Sequence, residues 1–265
     1  MSATPKVTSP KNPLVRRFRA VAAGAEPSLL TADGVHLVEE ALQAGLELVE
    51  VAVSSKLGES ERGRRLFEQL QRAAGLVHDC SEAVLQRISN LATPQGVVGV
   101  CRRPPVRPID LLGRDRALIV VAARVQDPGN LGALIRTGEA AGATGLIALE
   151  GGADPFRDKA VRGSAGSVFR LPTLGRQSIE SACELGRRHG LQLLIAEADA
   201  EREYWQVDLA RPSMIVFGGE GGGVPEALRA RADDRLRVPI APTVDSLNVA
   251  VAAGIVLFDA RRQRR

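Results

Sequence analysis

The first segment that could carry chemistry is ARVQDPGNLGALIRTGEAAGATGL, Ala123 to Leu146, at the end of a predicted buried strand. It places Asn130 directly after an Asp-Pro-Gly turn and Arg136 six residues further on. An amide and a guanidinium can act on one ligand through hydrogen bonds if the bend at Asn130 brings them together. The same residues also fit a plainer interpretation, in which Asn130 caps a helix and Arg136 is a surface charge.

The second segment, IVFGGEGGGVPEAL, surrounds Glu220 with five glycines between a predicted strand and a short helix. Glycine allows close approach of the backbone to a ligand, so the segment predicts a nucleotide-like cradle, with a structural turn as the alternative. It is neither a GxGxxG fingerprint in any register nor a P-loop, because the chain has no Gly-Lys pair. Glu220 would repel phosphate but tolerate ribose hydroxyls or a cation.

The third segment, RVPIAPTVDSLNVAVAAGIVLFDARRQ, leads from two prolines into an apolar helix. Asp245 or Ser246 can cap that helix, which would fully explain both residues. Asn248 is then expected inside the first turn as a buried amide. A buried amide needs a hydrogen-bond partner, and a ligand or a second subunit are the candidates.

Other chemistries find no support in the sequence. The histidines form no HExxH motif, no serine lies in a GxSxG turn, and Cys80, Cys101 and Cys183 are widely spaced. We therefore expect no metal site and no disulfide framework, and a reducing, cytoplasmic location. The N-terminus lacks the apolar region of a signal peptide, and the longest apolar stretches are about half of a membrane span. We expect no membrane association.

The elements that position the three segments alternate between strand and helix, which predicts an α/β protein with a mostly parallel sheet. The segment RRPPVRPID, with three prolines in nine residues, predicts a linker. It divides the chain into a smaller αβ domain over 1–105 and a second domain over 106–265. The predicted strands are 48–53, 76–78, 97–101, 117–122, 146–149, 191–196, 214–217 and 236–240, and the predicted helices are 35–44, 59–73, 81–89, 131–141, 179–189, 225–230 and 247–261.

The charge balance permits a polyanionic partner without proving one. The chain has a net charge of +4, with 31 arginines against four lysines, and its 45% apolar content excludes general disorder. Five cations precede the first acid, Glu26, either as a binding surface or as the solvated start of a helix. We predict that RNA phosphates contact Arg16, Arg17, Arg19, Arg102 and Arg103.

The three segments, in this order, resemble the signature motifs of the SpoU (TrmH-type) family of RNA ribose 2′-O-methyltransferases, within the SPOUT superfamily. The resemblance covers about Leu118 to Phe258, and AVRGSAGSVF is similar to a further family segment. The HLVEEAL helix and Pro94-Gln95-Gly96-Val97 look like the substrate-binding domain of such enzymes, a ribosomal-protein-like fold. The matching positions are Asn130, Gly132 and Arg136; Gly218, Glu220, Gly221 and Gly223; and Pro239, Ser246, Leu247, Asn248 and Val249.

The resemblance implies a trefoil-knotted parallel sheet that binds S-adenosylmethionine, and a homodimer with a shared active site. It also implies methylation of a ribose 2′-hydroxyl, with 23S ribosomal RNA favoured. Arg136 would hold an RNA phosphate or polarise the hydroxyl, assisted by Asn130, Glu220, Ser246 and Asn248. The implied cofactor-binding residues are Gly218, Val238, Ile240, Ser246, Leu247 and Asn248.

Four alternatives remain open at this point: a transfer-RNA methyltransferase, an antibiotic-resistance methyltransferase of the same family, a non-catalytic RNA-binding or ribosome-assembly protein, and a nucleotide-binding oxidoreductase. The missing dinucleotide fingerprint argues against the oxidoreductase. Labelling of RNA by a methyl donor would separate the methyltransferases from the non-catalytic binder.

Overall fold

The structure is a computed structural model that describes residues 6–113, 116–220 and 222–265. Up to residue 105 the elements are α1 (Pro13–Ala22), β1 (Leu29–Asp33), α2 (Val35–Gln43), β2 (Leu48–Val53), α3 (Glu61–Ala73), β3 (Leu76–Asp79), α4 (Glu82–Ile88) and β4 (Val97–Arg102). The later elements are β5 (Leu118–Ala123), α5 (Pro128–Ala141), β6 (Gly145–Leu149), α6 (Asp158–Gly163), β7 (Thr173–Gln177), α7 (Ile179–Arg188), β8 (Gln192–Ala196), β9 (Arg202–Glu203), β10 (Ser213–Gly218), α8 (Glu226–Arg229), β11 (Asp234–Arg237) and α9 (Val249–Gln263).

The chain forms two compact units, one of residues 1–105 with 156–169 and one of 106–155 with 170–265. These units differ from the predicted division only in the segment 156–169, which packs with the first unit. Helix α6 in this segment contacts β1, and its Ala160 and Val161 side chains are fully buried. Apolar burial thus draws a piece of the later sequence into the first unit, while the two-domain division itself stays a prediction.

The first unit contains a four-stranded sheet in the order β1-β4-β2-β3, with only the β2–β3 pair parallel. Strand β1 was not predicted, because its residues include the polar Thr31 and Asp33. The Asp33 carboxylate nevertheless finds hydrogen-bond donors inside the unit. It accepts hydrogen bonds from Ser89 Oγ at 2.8 Å and from Asn90 N at 2.7 Å. Burial raises the pKa of Asp33.

Helix α1 is the element that follows the basic N-terminal segment. The Asn12 side chain accepts a hydrogen bond from Leu14 N at 2.9 Å, and Pro13 fits the first turn because it needs no amide partner. One face of the helix, with Phe18 and Val21, is buried in the core of the first unit. Arginines on the opposite face are exposed, so the cations lie on an ordered helix.

The second unit is built on a seven-stranded, all-parallel sheet in the order β7-β6-β5-β10-β8-β11-β9. Strand β5, with the sequence LIVVAA, is buried at every position, as expected for a central parallel strand covered on both faces. Helices α5 and α9 pack against each other. The predicted α/β class is confirmed.

Strand β11 corrects one prediction, which placed a strand over 236–240. The strand ends at Arg237, because Pro239 cannot donate to a sheet ladder and the chain turns away before it. Val238 and Ile240 therefore lie in a loop. Strands β7 and β9 and helix α6 were also missed, each a short element of two to six residues. Within the described ranges, no helix meets the length and hydropathy needed to cross a membrane.

Candidate active site

The polar side chains of the three sequence segments meet where β5 and β10 end. Strand β5 leads into α5 through Asp127, whose carboxylate accepts a hydrogen bond from Asn130 N at 2.9 Å. Asp127 is thus the cap of α5, and the prediction that Asn130 caps it is wrong. Pro128 explains the shift, since proline at the first helical position makes the preceding residue the cap. The Asn130 side chain is left available for other contacts.

Asn130 links the other two segments through its amide. Its Nδ2 donates to Glu220 Oε1 at 2.7 Å, and its Oδ1 accepts from Asn248 Nδ2 at 2.9 Å. We call Glu220, Asn130 and Asn248 the amide chain. Each donor faces an acceptor, so the contacts fix the orientation of both amide groups. Asn248 is 118 residues beyond Asn130, and the folded sheet brings the two together.

Asn248 differs from its prediction in two ways. It is the N-cap of α9, with its Oδ1 accepting from Ala250 N at 2.9 Å, so neither Asp245 nor Ser246 caps that helix. Its side chain is also exposed, where burial was expected. The apolar run begins only at Val249, and the amide stands at the boundary between the helix and an exposed loop. Its partner is Asn130 of the same chain.

A cavity of about 310 Å³ lies beside the amide chain, a size within the lower range of small-molecule sites. The structure places five predicted cofactor-binding residues on its wall, while Asn248 stands next to it in the chain. Those five are Gly218, Val238, Ile240, Ser246 and Leu247. The glycine loop closes one side of the cavity, although its Gly221 lies outside the described residues.

The glycine loop is packed too tightly for side chains at two positions. A Cβ on Gly218 would lie 2.6 Å from the Gly223 carbonyl carbon, and a Cβ on Gly219 would lie 2.0 Å from the Arg124 carbonyl oxygen. By contrast, a Cβ on Gly222 would meet no atom within 4 Å. Backbone approach therefore explains Gly218 and Gly219, and leaves backbone groups, more than side chains, to face the cavity.

Two charged residues that the sequence did not single out, Glu197 and Arg229, also line the cavity. Arg229 Nε donates to Glu197 Oε2 at 2.9 Å, and Arg235 forms a further ion pair with the same carboxylate. Arg235 also hydrogen-bonds Asp199, which lowers the pKa of that exposed carboxyl. Their position after β8 and beside β11, at the carboxyl edge of a parallel sheet, is the signal that could have identified them.

Arg136 is not joined to the amide chain. It lies on α5, six residues after Asn130 and so about 9 Å further along the helix axis. Its side chain is exposed and has neither an ion pair nor a side-chain hydrogen bond to any residue in the described part of the chain. Asn130, Glu220 and Asn248 are therefore brought together as predicted, whereas Arg136 remains free for a group outside this chain.

Two of the predicted RNA-contacting residues, Arg16 and Arg19, lie on the exposed face of α1. Neither has an ion-pair partner among residues 6–105 and 156–169 of the first unit. Arg17 points elsewhere: it forms ion pairs of 2.5 Å with both Glu26 and Glu50. The basic segment thus presents two uncommitted guanidinium groups.

The other two predicted RNA-contacting residues, Arg102 at the end of β4 and Arg103 directly after it, are already engaged. Arg102 pairs with Glu47 at 2.6 Å, and this contact raises the pKa of Arg102. The guanidinium carbon of Arg103 lies 3.3 Å from the centre of the Phe156 ring, a cation–π contact. An RNA phosphate would compete with these contacts. Among the described residues, no cluster of three or more His, Cys, Asp or Glu side chains is arranged to hold a metal ion.

Comparison with known proteins identifies the family that this chain matches. The sequence model of the SpoU rRNA methylase family matches residues 117–258, and that of the RNA 2′-O ribose methyltransferase substrate-binding domain matches 33–106. The chain is 33% identical to an uncharacterised tRNA/rRNA methyltransferase of Synechocystis, over 97% of this chain and 94% of the relative. It is 31% identical to the 23S rRNA (guanosine(2553)-2′-O)-methyltransferase RlmP of Bacillus subtilis, over 86% and 87%.

Among solved structures, the AdoMet-bound rRNA methyltransferase from Sinorhizobium meliloti superposes with a TM-score of 0.86 at 32% identity, covering 97% of each chain. The matched family region contains the whole amide chain and most of the cavity wall. The resemblance found in the three motifs is thus confirmed over nearly the full length, and this chain belongs to the SpoU rRNA methylase family.

Proposed function

We propose that this protein transfers a methyl group from S-adenosylmethionine to a ribose 2′-hydroxyl of ribosomal RNA, with 23S rRNA as the substrate. The observation that carries the proposal is the amide chain of Glu220, Asn130 and Asn248 at the rim of a small-molecule cavity. Such a rim can hold a hydroxyl in line with a donor bound in the cavity. An rRNA substrate also places the enzyme in the cytoplasm.

The residues of the cavity suit this methyl donor. Leu247, Val238 and Ile240 offer apolar surface for the adenine ring, and the absence of a side chain at Gly218 brings the backbone to the wall of the cavity. S-adenosylmethionine carries no pyrophosphate, so the absence of a dinucleotide fingerprint and the presence of Glu220 in the loop are both consistent with it. When bound, the cofactor supplies an activated methyl group. We further infer that the loops around this cavity form the trefoil knot of the family.

The chemistry left to the protein is orientation of the 2′-hydroxyl and removal of its proton. Arg136 does not serve as a free base, because the ordinary arginine pKa of about 12.5 to 13.8 keeps the guanidinium charged. It instead holds an RNA phosphate or polarises the hydroxyl, and the proton leaves to water or phosphate. Asn130 and Asn248 align the ribose, Ser246 assists from the cavity wall, and Glu220 fixes the orientation of Asn130.

Transfer of tritiated methyl from S-adenosylmethionine to purified rRNA tests this assignment. Wild-type protein should label the RNA, and Arg136→Ala should lower kcat/KM by at least about 100-fold, the usual effect of losing a preorganised charged donor. Its affinity for the cofactor should stay unchanged. Arg187→Ala, which removes an exposed guanidinium from α7, is the matched control and should retain wild-type activity. Equal turnover by Arg136→Ala would reject the role given to Arg136.

We also propose that two copies form a homodimer through α9. The helix has an apolar stripe at spacings of four and three residues: Val251, which is 53% exposed, half-buried Ile255, and Phe258, which is 50% exposed. Apolar side chains repeated on one helix face favour a partner surface, and a twofold pairing of the stripe with itself would cover them. Light scattering at micromolar concentration should give the dimer mass; a monomer mass would contradict the pairing.

A further inference from the structure

Arg124, the first residue after β5, has a backbone conformation that arginine rarely adopts. Its φ is 57°, in the left-handed region, where a side chain crowds the backbone and glycine is the usual residue. Among the described residues, only Ala165 and Arg176 share this feature outside glycine. Backbone strain of this kind persists where the surroundings impose it, and it concentrates at functional sites.

The surroundings of Arg124 do impose it. Gly219 N donates to the Ala123 carbonyl at 2.8 Å, and a Cβ on Gly219 would be 2.0 Å from the Arg124 carbonyl oxygen. On another side, a Cβ on Gly152 would lie 3.1 Å from the carbonyl oxygen of Val125, the next residue. Gly219 therefore packs tightly against the backbone of Arg124, and Gly152 packs against the residue that follows it. Glycine at position 124 would adopt the same conformation without the steric penalty.

No ion pair or side-chain hydrogen bond with the described residues offsets the backbone strain at Arg124. The side chain is exposed, and none of the residues in 6–113, 116–220 and 222–265 forms an ion pair or a side-chain hydrogen bond with it. Arg176, strained to the same degree, lies 3.9 Å from Asp154. An arginine held in an unfavourable backbone conformation, with no partner of its own, points to a partner outside the chain.

The position of Arg124 indicates which partner this is. It stands at the carboxyl edge of the sheet, with Gly219 against its backbone and Glu220, the end of the amide chain, next along the loop. It is not part of the cavity wall, so its guanidinium does not line the cofactor site. Resting on the proposed function, we propose that Arg124 binds a phosphate of the RNA strand beside the nucleotide being methylated.

Four variants separate the charge of Arg124 from its backbone strain. Arg124→Gly removes both, Arg124→Ala removes the charge alone, and Arg124→Lys keeps a cation. Arg187→Ala removes an exposed arginine far along the chain on α7 and serves as control. The readouts are the melting temperature, the KM for S-adenosylmethionine, and kcat/KM for rRNA methylation as a function of KCl concentration.

Arg124→Gly should melt at or above the wild-type temperature, since the strain is relieved, yet its kcat/KM for rRNA should fall several-fold at low salt. Its plot of log kcat/KM against log KCl should be shallower by about 0.7 to 0.9, the value for one lost phosphate contact. Arg124→Ala should show the same slope change, and Arg124→Lys should restore the wild-type slope. The KM for S-adenosylmethionine and the Arg187→Ala control should match wild type.

An unchanged salt slope and kcat/KM in Arg124→Gly, with active wild-type enzyme, would overturn the assignment of Arg124. So would an effect confined to the KM for S-adenosylmethionine, which would make the cofactor its ligand. Failure of the wild-type protein itself to methylate rRNA would instead overturn the proposed function, so the two failures are distinguishable.

Discussion

Arg17 and Arg102 in the first unit are held by carboxylates. In the second unit, Arg124 at the sheet edge and Arg136 on α5 have no ion-pair or side-chain hydrogen-bond partner among the described residues. The two regions differ in what these arginines already bind. A guanidinium held by a carboxylate must first be released before it can bind a phosphate, while an uncommitted one is immediately available. Pairing, more than the number of cations, thus distinguishes candidate RNA contacts from structural ones.

Strain separates the same two regions. At the sheet edge, glycines pack against Arg124 and force its unfavourable conformation, which leaves the side chain exposed beside the amide chain. In the first unit, exposed Arg16 and Arg19 lie on a regular helix with ordinary backbone geometry. The second unit therefore holds Arg124 in a constrained backbone position near the amide chain, and the first unit carries Arg16 and Arg19 on the exposed face of a regular helix.

The largest expected effect comes from a substitution in the glycine loop that packs against Arg124. Gly219→Ala would place a Cβ 2.0 Å from the Arg124 carbonyl, so the loop must move. We expect a loss of about 3 kcal/mol in the free energy of unfolding, at the upper end for overpacking, and a cofactor affinity at least about tenfold weaker. Calorimetric titration and urea unfolding measure the two quantities.

Gly222→Ala is the matched control for this variant, because a Cβ there meets no atom within 4 Å. It should change both quantities little. If Gly219→Ala and Gly222→Ala behaved alike, close packing against Arg124 would not be what shapes the loop.

A smaller effect is expected when the unpaired and the paired arginines of the first unit are compared. The double variant Arg16→Ala/Arg19→Ala should lower the salt slope of RNA binding by about 1.4 to 1.8, as expected for two phosphate contacts. Arg17→Ala/Arg102→Ala removes the same number of charges from paired positions and should change the slope much less. Filter binding to rRNA at several KCl concentrations compares them. Equal slopes for the two double variants would show that pairing does not decide which arginines bind RNA.

The smallest expected effect is the pH dependence of stability, which has opposite signs for Asp158 in the first unit and Asp199 in the second. Burial raises the pKa of Asp33 and Asp158 in the first unit, so their contribution to stability is fully present below the ordinary aspartate pKa of about 3.9. It is lost as pH rises through their folded values. The wild-type advantage in melting temperature over Asp158→Asn should therefore shrink as pH rises above the ordinary aspartate pKa of about 3.9.

Asp199 in the second unit provides the opposite case. Its pKa is lowered by the hydrogen bond from Arg235, so its small contribution is present above the ordinary aspartate pKa and lost as pH falls through the folded value. The wild-type advantage over Asp199→Asn should therefore be constant above the ordinary aspartate pKa of about 3.9 and shrink as pH falls below it. Melting curves at a series of pH values test both signs, and parallel trends for the two variants would contradict these pKa directions.

Much of the second unit could be predicted because its strands are buried on both faces and its turns carry glycine or proline. Strand β5 and helix α5 differ from their predicted bounds by only a few residues, and the three motif segments converge as expected. The elements of the first unit were harder to predict. Strand β1 contains Asp33, whose carboxylate is buried and hydrogen-bonded, and α1 lies within a run of cations. Short elements such as β9 leave no periodicity to detect.

The details of the candidate site depended on contacts between distant residues. Asn248 bonds with a residue 118 positions away, and Arg17 and Arg102 find acids 33 and 55 positions away. No local pattern reports such pairings, so sequence reasoning treated the basic residues as equivalent. The caps of α5 and α9 were misplaced for a local reason, because several neighbouring polar residues could each have capped the helix. The backbone strain at Arg124 could not be predicted either, because the sequence around an arginine at the end of a strand does not indicate its φ angle.

The central claim, that this chain methylates rRNA riboses through the edge of its second sheet, is tested most directly in cells. Positions of 2′-O-methylation would be mapped across total RNA from cells with the gene, without it, and complemented with wild-type or Arg136→Ala protein. We predict that a position in 23S rRNA loses its methyl group without the gene and regains it only with the wild-type protein. An identical methylation map in all four strains would contradict the account.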